Sequence, residues 1–465
     1  MKKYILLGIV ILITICLLAS CASVSSPSTA SATLASDRTA LWTGNTATLW
    51  EQLQHISSAR LAAMQSTVSD PTQNAWIQLA LISKRNSTNT AQLARELLAF
   101  RERNPTHPAN ALLPNNATLN QLLNLTPPKH IALLLPLRGT FGSSGQMVRD
   151  GFLNAYYTNL PKIGKQGISF YDTTQTEDMR SLYQQAIAEG ADFIIGPLIK
   201  NNVQQLSGSG PFSFPTLALN YTDIRYGSLP ANFYEFGLLP EDEATQIADR
   251  AREAGLSHAI VIAPQTPLGT RIATAFSTRF QRNGGNIQEA WYYTPHANFN
   301  QEIARLLKIN LDADKQLMKE DNNKDVLEKQ RRQDFDVIFL FSQPKEARVI
   351  VPLLRYYYAN NIPIYATSAV YSGRPNPAKD VDLNGVIVCD IPQNMQTLQK
   401  KNNNETQPDR LYAVGQDAYL LTETLPQLIQ LPSFPLYGKT GALTLASTHQ
   451  IHRRLPCVKI ENGLL

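Results

Sequence analysis

The sequence predicts an α/β protein in which two lobes of parallel β-sheet follow a short all-helical region. Beyond Pro127 and Pro128, short apolar runs alternate with amphipathic helical segments along most of the chain. This alternation is typical of parallel sheets that are covered by helices on both faces. It restarts after residues 233–239, which indicates two successive sets of strands and helices rather than one continuous sheet. The length of 465 residues also favours more than one domain.

Each apolar run is interpreted as a buried strand, and each amphipathic segment as a helix that covers the sheet. In the first lobe we expect strands at residues 131–137, 167–171, 193–195 and 216–219, with helices near 146–157, 179–188 and 200–206. In the second lobe we expect strands at 259–263, 287–293, 337–341, 364–366 and 386–389, with helices near 243–253, 271–282, 301–309 and 347–359. In folds of this kind, ligands bind in the cleft at the carboxyl ends of the strands.

Residues 37–126 show a helical period instead. Apolar residues recur there at i, i+4 and i+7, as in Leu93, Leu97 and Phe100. Prolines and an Asn-Ser-Thr turn separate the helical segments, which are short. Short antiparallel helix pairs are typical of tetratricopeptide-type repeats, and a small generic helical bundle is the alternative interpretation.

The N-terminus carries an export signal. Two lysines precede an apolar run at residues 4–18, and small residues then lead to a cysteine. The sequence Leu-Ala-Ser-Cys at 18–21 resembles a bacterial lipobox, which implies removal of residues 1–20 and lipid attachment to Cys21. A plain signal peptide and an anchor helix are the alternatives, but the apolar run is shorter than the ~20 residues of a membrane-spanning helix. Residues 21–36, rich in Ser, Ala and Thr, follow as a flexible tether.

The charge pattern bears on nucleic-acid binding and on the second lobe. A net charge of +5, without an arginine-rich or aromatic-interleaved stretch, does not favour nucleic-acid binding. The charged residues 311–333 contain little apolar material and are expected to form a solvated insertion on the second lobe.

Cys389 and Cys457 remain after export and lipidation, in a compartment that permits disulfides. The two can pair, or each can stay as a buried thiol in its strand-like apolar run.

Short motifs of penicillin-recognising enzymes occur, but they do not predict a site. Such enzymes need a serine and a lysine one helical turn apart, a Ser/Tyr-x-Asn loop, and Lys-Thr-Gly on a strand. The first motif matches at Ser342 and Lys345, and the third at residues 439–441. The second matches at Tyr358, which lies at the far end of the same predicted helix, roughly 20 Å away at ~1.5 Å per residue. Because these groups cannot converge, they do not predict an enzyme. The sequence also has no G-x-S-x-G elbow and no Walker lysine loop, and its seven histidines are scattered, so we predict no enzyme, no cofactor and no metal site.

Four stretches resemble the type I periplasmic-binding-protein fold, which branched-chain amino acid receptors use. They match its first strand, turn and helix, its third strand, a late helix of lobe one, and its closing strands: residues 136–157, 193–198, 415–421 and 438–456. The resemblance implies a two-lobed periplasmic-binding-protein-like domain at 127–465, preceded by a TPR-like helical domain at 37–126.

Three further stretches are more specific. Residues 76–110, 331–373 and 380–392 are similar to the LppC/LpoA lipoproteins. With the lipobox, this resemblance covers nearly the whole mature chain. It implies a non-catalytic outer-membrane lipoprotein that reaches through the periplasm and activates a class A penicillin-binding protein, a peptidoglycan synthase. The helical domain here is much shorter than in the longer members of that family.

Two functions follow from this, and they use different residues. A synthase activator, the leading interpretation, would offer charge and aromatic area on the second lobe; the candidates are Arg348, Arg355 and Tyr356. A lipid-anchored receptor for an amino acid or similar solute is the alternative. It would use polar groups at the strand ends, namely Ser143, Ser144, Tyr221, Gln265, Thr266 and Ser368. Under the leading interpretation no tight small-molecule ligand is expected.

Replacement of the lipobox cysteine tests the anchor. We expect Cys21→Ser to prevent acylation, so that the precursor stays uncleaved by the lipoprotein signal peptidase and unlabelled in metabolic acyl labelling. Cys16→Ser, which changes a cysteine within the leader, is the matched control and should be labelled and processed normally. Normal membrane retention of Cys21→Ser without a change in gel mobility would contradict the prediction.

Overall fold

The computed structural model describes residues 42, 44–222, 229–310, 331–373, 376–396 and 409–464. The predicted leader, Cys21, the tether and residues 311–330 of the charged run lie outside the described residues. Two compact units separate within the rest. One runs to Ile82 and includes Phe100–Ala111, and the other comprises Ser83–Ala99 and the chain from Leu112 onward. Among the helices described here, none combines the length and the hydropathy needed to cross a bilayer.

The region that the helical period marks in the sequence is helical in the structure. In chain order they are α1 (Thr46–His55), α2 (Ser58–Gln65), α3 (Pro71–Asn86), α4 (Thr90–Arg103) and α5 (Asn116–Leu123). Helix α1 begins where the side chain of Asn45 accepts the backbone N–H of Thr48 at 2.9 Å, an ordinary N-cap. The residues of the predicted apolar stripe, Leu93, Leu97 and Phe100, are fully buried on α4, and so is Leu53 on α1.

The first lobe contains a five-stranded parallel sheet in the order β2-β1-β3-β4-β5. Its elements are β1 (His130–Leu135), α6 (Gly142–Ile163), β2 (Gly167–Asp172), α7 (Met179–Ala188), β3 (Phe193–Ile195), α8 (Lys200–Ser207), β4 (Thr216–Ala218) and β5 (Phe233–Glu235). Residues 131–135 of β1 are all fully buried. They lie between two separate clusters of core side chains, which explains why the strand is an unbroken apolar run.

The second lobe contains a six-stranded sheet in the order β14-β10-β9-β8-β6-β7. Its elements are α9 (Pro240–Glu253), β6 (His258–Pro264), α10 (Pro267–Arg282), β7 (Asn286–Tyr293), α11 (Phe299–Leu306), β8 (Val337–Leu340), α12 (Pro344–Tyr356), β9 (Ile364–Ala366), α13 (Pro377–Asp380), β10 (Ile387–Cys389), α14 (Pro392–Gln396) and β14 (Cys457–Lys459). All neighbours are parallel except β14, which runs antiparallel to β10. The predicted two-lobed α/β fold is therefore confirmed.

Between β10 and β14 the chain returns to the first lobe. It forms α15 (Arg410–Gln430) and a small antiparallel sheet of β11 (Leu436–Tyr437), β12 (Ala442–Leu445) and β13 (Ile451–Arg454). Leu443 and Ile451 of this sheet join the core of the first lobe. The chain thus changes lobe after β5, between β10 and α15, and between β13 and β14, and we call these passages the three crossings; residues 397–408 of the second crossing lie outside the described residues.

Cys389 and Cys457 form a disulfide, which decides between the two alternatives that the sequence left open. The two residues lie directly opposite each other in the antiparallel pair of β10 and β14. Pairing therefore depends on the register of two strands that are 68 residues apart in the chain. The bond fixes the last strand of the chain to the second lobe.

Helices α6 and α15 approach each other closely enough for their backbones to touch. A Cβ added to Gly415 would lie 2.0 Å from the carbonyl oxygen of Val148, and one added to Gly151 would lie 2.0 Å from the carbonyl oxygen of Tyr412. No side-chain atom fits at either distance, so only glycine permits this packing. Gly415 is also the first residue of a stretch on which the fold resemblance rests.

The expectation for the charged run is wrong at its C-terminal end. The sequence predicts a solvated insertion at residues 311–333, but Arg331 and Arg332 are buried. Arg332 is ion-paired with Glu289 and with Asp334, the latter at 2.7 Å. A charged side chain can be buried when it is fully partnered, and the partner on β7 is distant in sequence.

The contact between α6 and α15 can be tested with a single methyl group. We expect Gly415→Ala to lower the free energy of unfolding by ~1–3 kcal/mol, because overpacking forces the two helix backbones apart. Gly208→Ala is the matched control, since the nearest atom to its added Cβ is 3.6 Å away. Urea unfolding of both variants measures the difference. Equal stabilities would contradict the close-packed contact.

Candidate functional site

In each lobe, two of the predicted ligand contacts lie at the N-terminus of a helix, at the edge of the sheet that faces the cleft. Ser143 and Ser144 lie in the first turn of α6, after β1; Ser143 is exposed and Ser144 is partly buried. In the second lobe, Thr266 accepts the backbone N–H of Gly269 at 3.0 Å and so caps α10. Gln265 directly precedes Thr266, at the end of β6. These four predicted residues therefore occupy equivalent places in the two lobes.

Gln265 and Thr266 also line an open cavity of about 520 Å³. Its lining consists of Gln265, Thr266, Pro267, Thr270, Arg271 and Thr274. The cation among them is partnered, because the guanidinium of Arg271 donates to the carboxylate of Glu241 at 2.6 Å. The other predicted cleft residues, Ser143, Ser144, Tyr221 and Ser368, are not part of this lining. The structure thus brings together two of the six predicted contacts in one cavity.

Tyr221 is buried, and its hydroxyl is engaged within the chain. It donates to the carbonyl oxygen of Ile451 at 2.6 Å, which joins the end of β4 to β13. Burial raises the pKa of the Tyr221 phenol well above its ordinary value, and the nearby carboxylate of Asp242 acts in the same direction. The placement of Tyr221 gives it a structural contact and does not favour the predicted contact with a ligand.

Ser368 is likewise engaged, by a carboxylate of the protein itself. Its backbone N–H and its hydroxyl donate to the two carboxylate oxygens of Glu243, at 2.8 and 3.0 Å. Burial raises the pKa of the Glu243 carboxyl, whereas the guanidinium of Arg453 lowers it. The donors that a solute carboxylate would use at Ser368 are therefore already satisfied by Glu243.

Sequence reasoning missed four charged residues in the region between the lobes, namely Glu243, Arg410, Asp417 and Arg453. Arg410, at the start of α15, donates from Nε and Nη2 to the carboxylate of Asp390, at 2.8 and 2.7 Å. Asp390 and Asp417 are buried, as are Glu243 and Arg453. A signal existed for Asp417, which is a lone acid in the apolar stretch of α15 and so requires an internal partner. The sequence gave no such signal for Glu243, because acidic residues are common in the first turn of a helix.

The residues that match the motifs of penicillin-recognising enzymes form hydrogen bonds within the fold. The hydroxyl of Ser342 is buried and lies 2.8 Å from the hydroxyl of Tyr293. Lys439 and Thr440 form a turn whose backbone N–H groups donate to the carboxylate of Asp417, at 2.6 and 2.7 Å. Among the residues that the structure describes, no group of His, Cys, Asp or Glu is placed to hold a metal ion.

The predicted partner contacts lie on α12 and differ in their exposure. Arg348 pairs with the fully buried carboxylate of Asp380 at 2.6 Å, so its charge is already used within the fold. Arg355 is partly buried, and this burial lowers its pKa. Tyr356 is 54% exposed, whereas the adjacent Tyr357 is core, with only 2% exposed. Tyr356 is therefore the predicted contact with the most free surface.

Two exposed valines extend the free surface around Tyr356. Val349 lies seven residues earlier on the same face of α12 and is 43% exposed. Val381 is 46% exposed and lies in the short 3-10 turn that packs beside α12. We call Val349, Tyr356 and Val381 the α12 patch. It combines an aromatic and an aliphatic side chain on α12 with an aliphatic side chain on the neighbouring 3-10 turn, and exposed apolar side chains of this kind are suited to a protein contact.

Two lobes of this topology, joined by three crossings, define a periplasmic-binding-protein-like fold. A branched-chain amino acid ABC transporter protein from Chromobacterium violaceum has the same fold, with a TM-score of 0.53 over 71% of this chain and 99% of its own, at 23% identity. The C-domain of LpoA from Haemophilus influenzae, described as a regulator of PBP1A, is 26% identical. It gives a TM-score of 0.57 over 72% of this chain and 98% of that domain.

The family of this chain is shown by a match over nearly its whole length. Residues 34–463 match the family model described as "LppC putative lipoprotein", and the chain belongs to this family. Penicillin-binding protein activator LpoA of Photobacterium profundum is 28% identical over 422 residues, which cover 88% of this chain and 68% of that protein. The family membership inferred from residues 76–110, 331–373 and 380–392 is thereby confirmed.

The contact between His452 and Asp242 predicts a pH dependence of stability. A hydrogen bond from the ring to the carboxylate of Asp242 raises the pKa of His452 above its ordinary value of 6.5, although burial opposes this. The stabilisation is thus complete below pH 6.5 and is lost as the pH rises through the folded-state pKa. We expect His452→Gln to remove this part of the decline in unfolding free energy, measured by urea unfolding between pH 6 and 8. His296→Gln, at an exposed histidine, is the matched control, and an identical profile for all three proteins would contradict the prediction.

Proposed function

We propose that this protein is an outer-membrane lipoprotein that binds and activates a class A penicillin-binding protein and so promotes peptidoglycan synthesis. The observation that carries the proposal is the family match over residues 34–463, which includes both the helical region and the two lobes. Relatives of similar sequence are named penicillin-binding protein activators. The proposed activity is one of binding, and it needs no catalytic group.

The predicted anchor supports a location at the periplasmic face of the outer membrane. Cys21 would carry the lipid, and several acyl chains give stable attachment where one does not. Ala22 follows the cysteine, where an aspartate would oppose sorting to the outer membrane by analogy with other lipoproteins. Residues 22–36 could extend to roughly 50 Å at ~3.3 Å each and so hold the folded part away from the bilayer. A periplasmic synthase would then be within reach.

The α12 patch is the surface that we propose for contact with the synthase. Exposed aromatic side chains with aliphatic neighbours supply much of the binding energy at protein interfaces. Tyr356 is the aromatic member, and Val349 and Val381 are its neighbours. Arg348 is ion-paired with Asp380, the residue before Val381, and Arg355, the residue before Tyr356, has a partly buried guanidinium. The roles of the three predicted residues thus differ, and Tyr356 is the one to test.

A solute receptor is the second candidate function. The cavity beside Gln265 and Thr266 is the observation that favours it. Against it, Tyr221 and Ser368 use their polar atoms within the chain. Only two of the six predicted contacts therefore line one cavity.

Substitution of Tyr356 tests the proposed contact. We expect Tyr356→Ala to weaken binding of the cognate class A synthase about tenfold, as loss of ~1.4 kcal/mol at an interface requires. Stimulation of glycan polymerisation and of crosslinking should fall in parallel, measured with purified synthase and the mature chain. Phe170→Ala is the matched control, because Phe170 is an aromatic residue of the first lobe that is 38% exposed. Equal stimulation by both variants would exclude the α12 patch, and no stimulation by the unmodified chain would contradict the proposed function.

A further inference from the structure

Two cations converge beside the α12 patch, over a glycine that lies two residues before β10. A Cβ built on Gly385 would lie 3.4 Å from Nη2 of Arg355 and 3.9 Å from Cε of Lys459. The N–H of Gly385 donates to the carbonyl oxygen of Ile460 at 2.8 Å, which holds β14 beside this loop. The last turn of α12 and the last strand of the second sheet thus bring their cations to one place. We call Arg355 and Lys459 the cation pair.

Arg355 and Arg348, two turns apart on α12, have different partners. Nε and Nη2 of Arg348 donate to one carboxylate oxygen of Asp380, at 3.1 and 2.6 Å. Nη1 of Arg355 donates instead to the carbonyl oxygen of Asp382, at the long distance of 3.5 Å. In the part of the chain that the structure describes, no carboxylate forms an ion pair with Arg355 or with Lys459. The charge of Arg348 is therefore used within the fold, and the cation pair is available to a partner.

The environment of Arg355 favours a carboxylate ligand. The residue is partly buried, and this burial lowers the pKa of its guanidinium, while the carboxylate of Asp382 acts in the opposite direction. A cation that has lost part of its hydration is stabilised when a carboxylate pairs with it. The planar fork of arginine offers N–H groups to both oxygens of a carboxylate, and the exposed ammonium of Lys459 adds a second positive charge.

The neighbours of the cation pair favour a carboxylate that belongs to a protein. Arg355 precedes Tyr356 on α12, and its hydrogen-bond acceptor Asp382 follows Val381, so the cation pair borders the α12 patch. A small free anion would make no use of the exposed tyrosine and valine. An acidic side chain on a protein surface brings apolar neighbours with it, and protein interfaces commonly combine arginine and tyrosine contacts of this kind.

We propose that Arg355 and Lys459 bind an acidic side chain, Asp or Glu, of the protein that docks on the α12 patch. The carboxylate is held over Gly385, between the guanidinium and the ammonium. This assignment rests on the proposed function, because the synthase supplies the carboxylate. It adds the chemistry of the contact, and it extends the contact surface to Lys459 on β14.

Zero-length crosslinking identifies the group that meets the cation pair. A carbodiimide joins a carboxyl group to an amine by an amide bond only where the two are in contact. With the mature chain and the cognate synthase, we expect such a bond between Nζ of Lys459 and an Asp or Glu of the synthase, identified by mass spectrometry of the digested complex. A complex that is crosslinked through other lysines but not through Lys459 would overturn the proposal.

Removal of both charges tests the contribution of the cation pair to binding. We expect Arg355→Gln with Lys459→Gln to weaken binding of the synthase about tenfold, mainly through faster dissociation, and to reduce its dependence on salt. Arg282→Gln with Lys165→Gln is the matched control, because it removes the same two charges at exposed positions, one of them in the last turn of α10. The control should bind like the unmodified chain. An equal loss in both double variants, or no loss in either, would overturn the assignment.

Two single substitutions separate the roles of the two cations. Arg355→Lys keeps the charge and removes the planar fork, so an intermediate loss of affinity is expected. Lys459→Gln changes an exposed residue and covers the case in which the double variant does not fold; we expect it to weaken binding about two- to threefold. Unchanged affinity of the Lys459→Gln protein, when the double variant does not fold, would overturn the assignment of Lys459.

Anionic phospholipid vesicles supply phosphate as another source of negative charge. The mature chain made without its lipid should bind them equally with and without the two substitutions at the cation pair. A loss of vesicle binding that is confined to Arg355→Gln/Lys459→Gln, and absent from the control, would assign the pair to lipid headgroups and overturn the proposal.

The outcomes distinguish this assignment from the proposed function. If the unmodified chain neither binds nor stimulates the synthase, the proposed function fails, and this assignment fails with it. If the unmodified chain binds and stimulates, while Arg355→Gln/Lys459→Gln does so equally well, only the assignment of the cation pair fails.

Discussion

The buried guanidinium of Arg453 joins a carboxylate of the second lobe to a backbone carbonyl of the first. Arginine is suited to this position because its planar fork can serve two acceptors in different directions. On one side it meets Glu243, which in turn holds Ser368. On the other it meets the turn at Thr440 that Asp417 stabilises. This contact and the hydrogen bonds beside it connect the two lobes in their buried interior.

The same contacts explain why a receptor-like fold can belong to a family whose relatives are named as activators. In a receptor, polar groups at the strand ends must remain available for a solute. Here the hydroxyls of Tyr221 and Ser368 are used by Ile451 and Glu243. Tyr356 of the α12 patch is exposed, and it lies on a helix that is held by the ion pair of Arg348 and Asp380.

The local pattern of apolar residues in the sequence was sufficient to predict much of the fold. The runs at 193–195 and 364–366 coincide with β3 and β9, because a strand buried on both faces requires an unbroken apolar sequence. Helix starts were less well predicted. Helices α10 and α12 begin four and three residues before the predicted starts, since Pro267 and Pro344 open them and proline suits a first helical turn. Arg331 and Arg332 were assigned to solvent because their partners, Glu289 and Asp334, could not be identified from a charged run.

The sequence by itself determined the class of fold, the family, and the groups available at the strand ends, because periodicity and local motifs are properties of neighbouring residues. Tertiary structure alone decided which of those groups are free. The partners of Tyr221 and Ser368 are 230 and 125 residues away, and Cys389 meets Cys457 only through strand register. Each depends on the close approach of segments that are distant in the chain. Burial then fixes the outcome, since a polar group without water must take whichever partner the fold supplies.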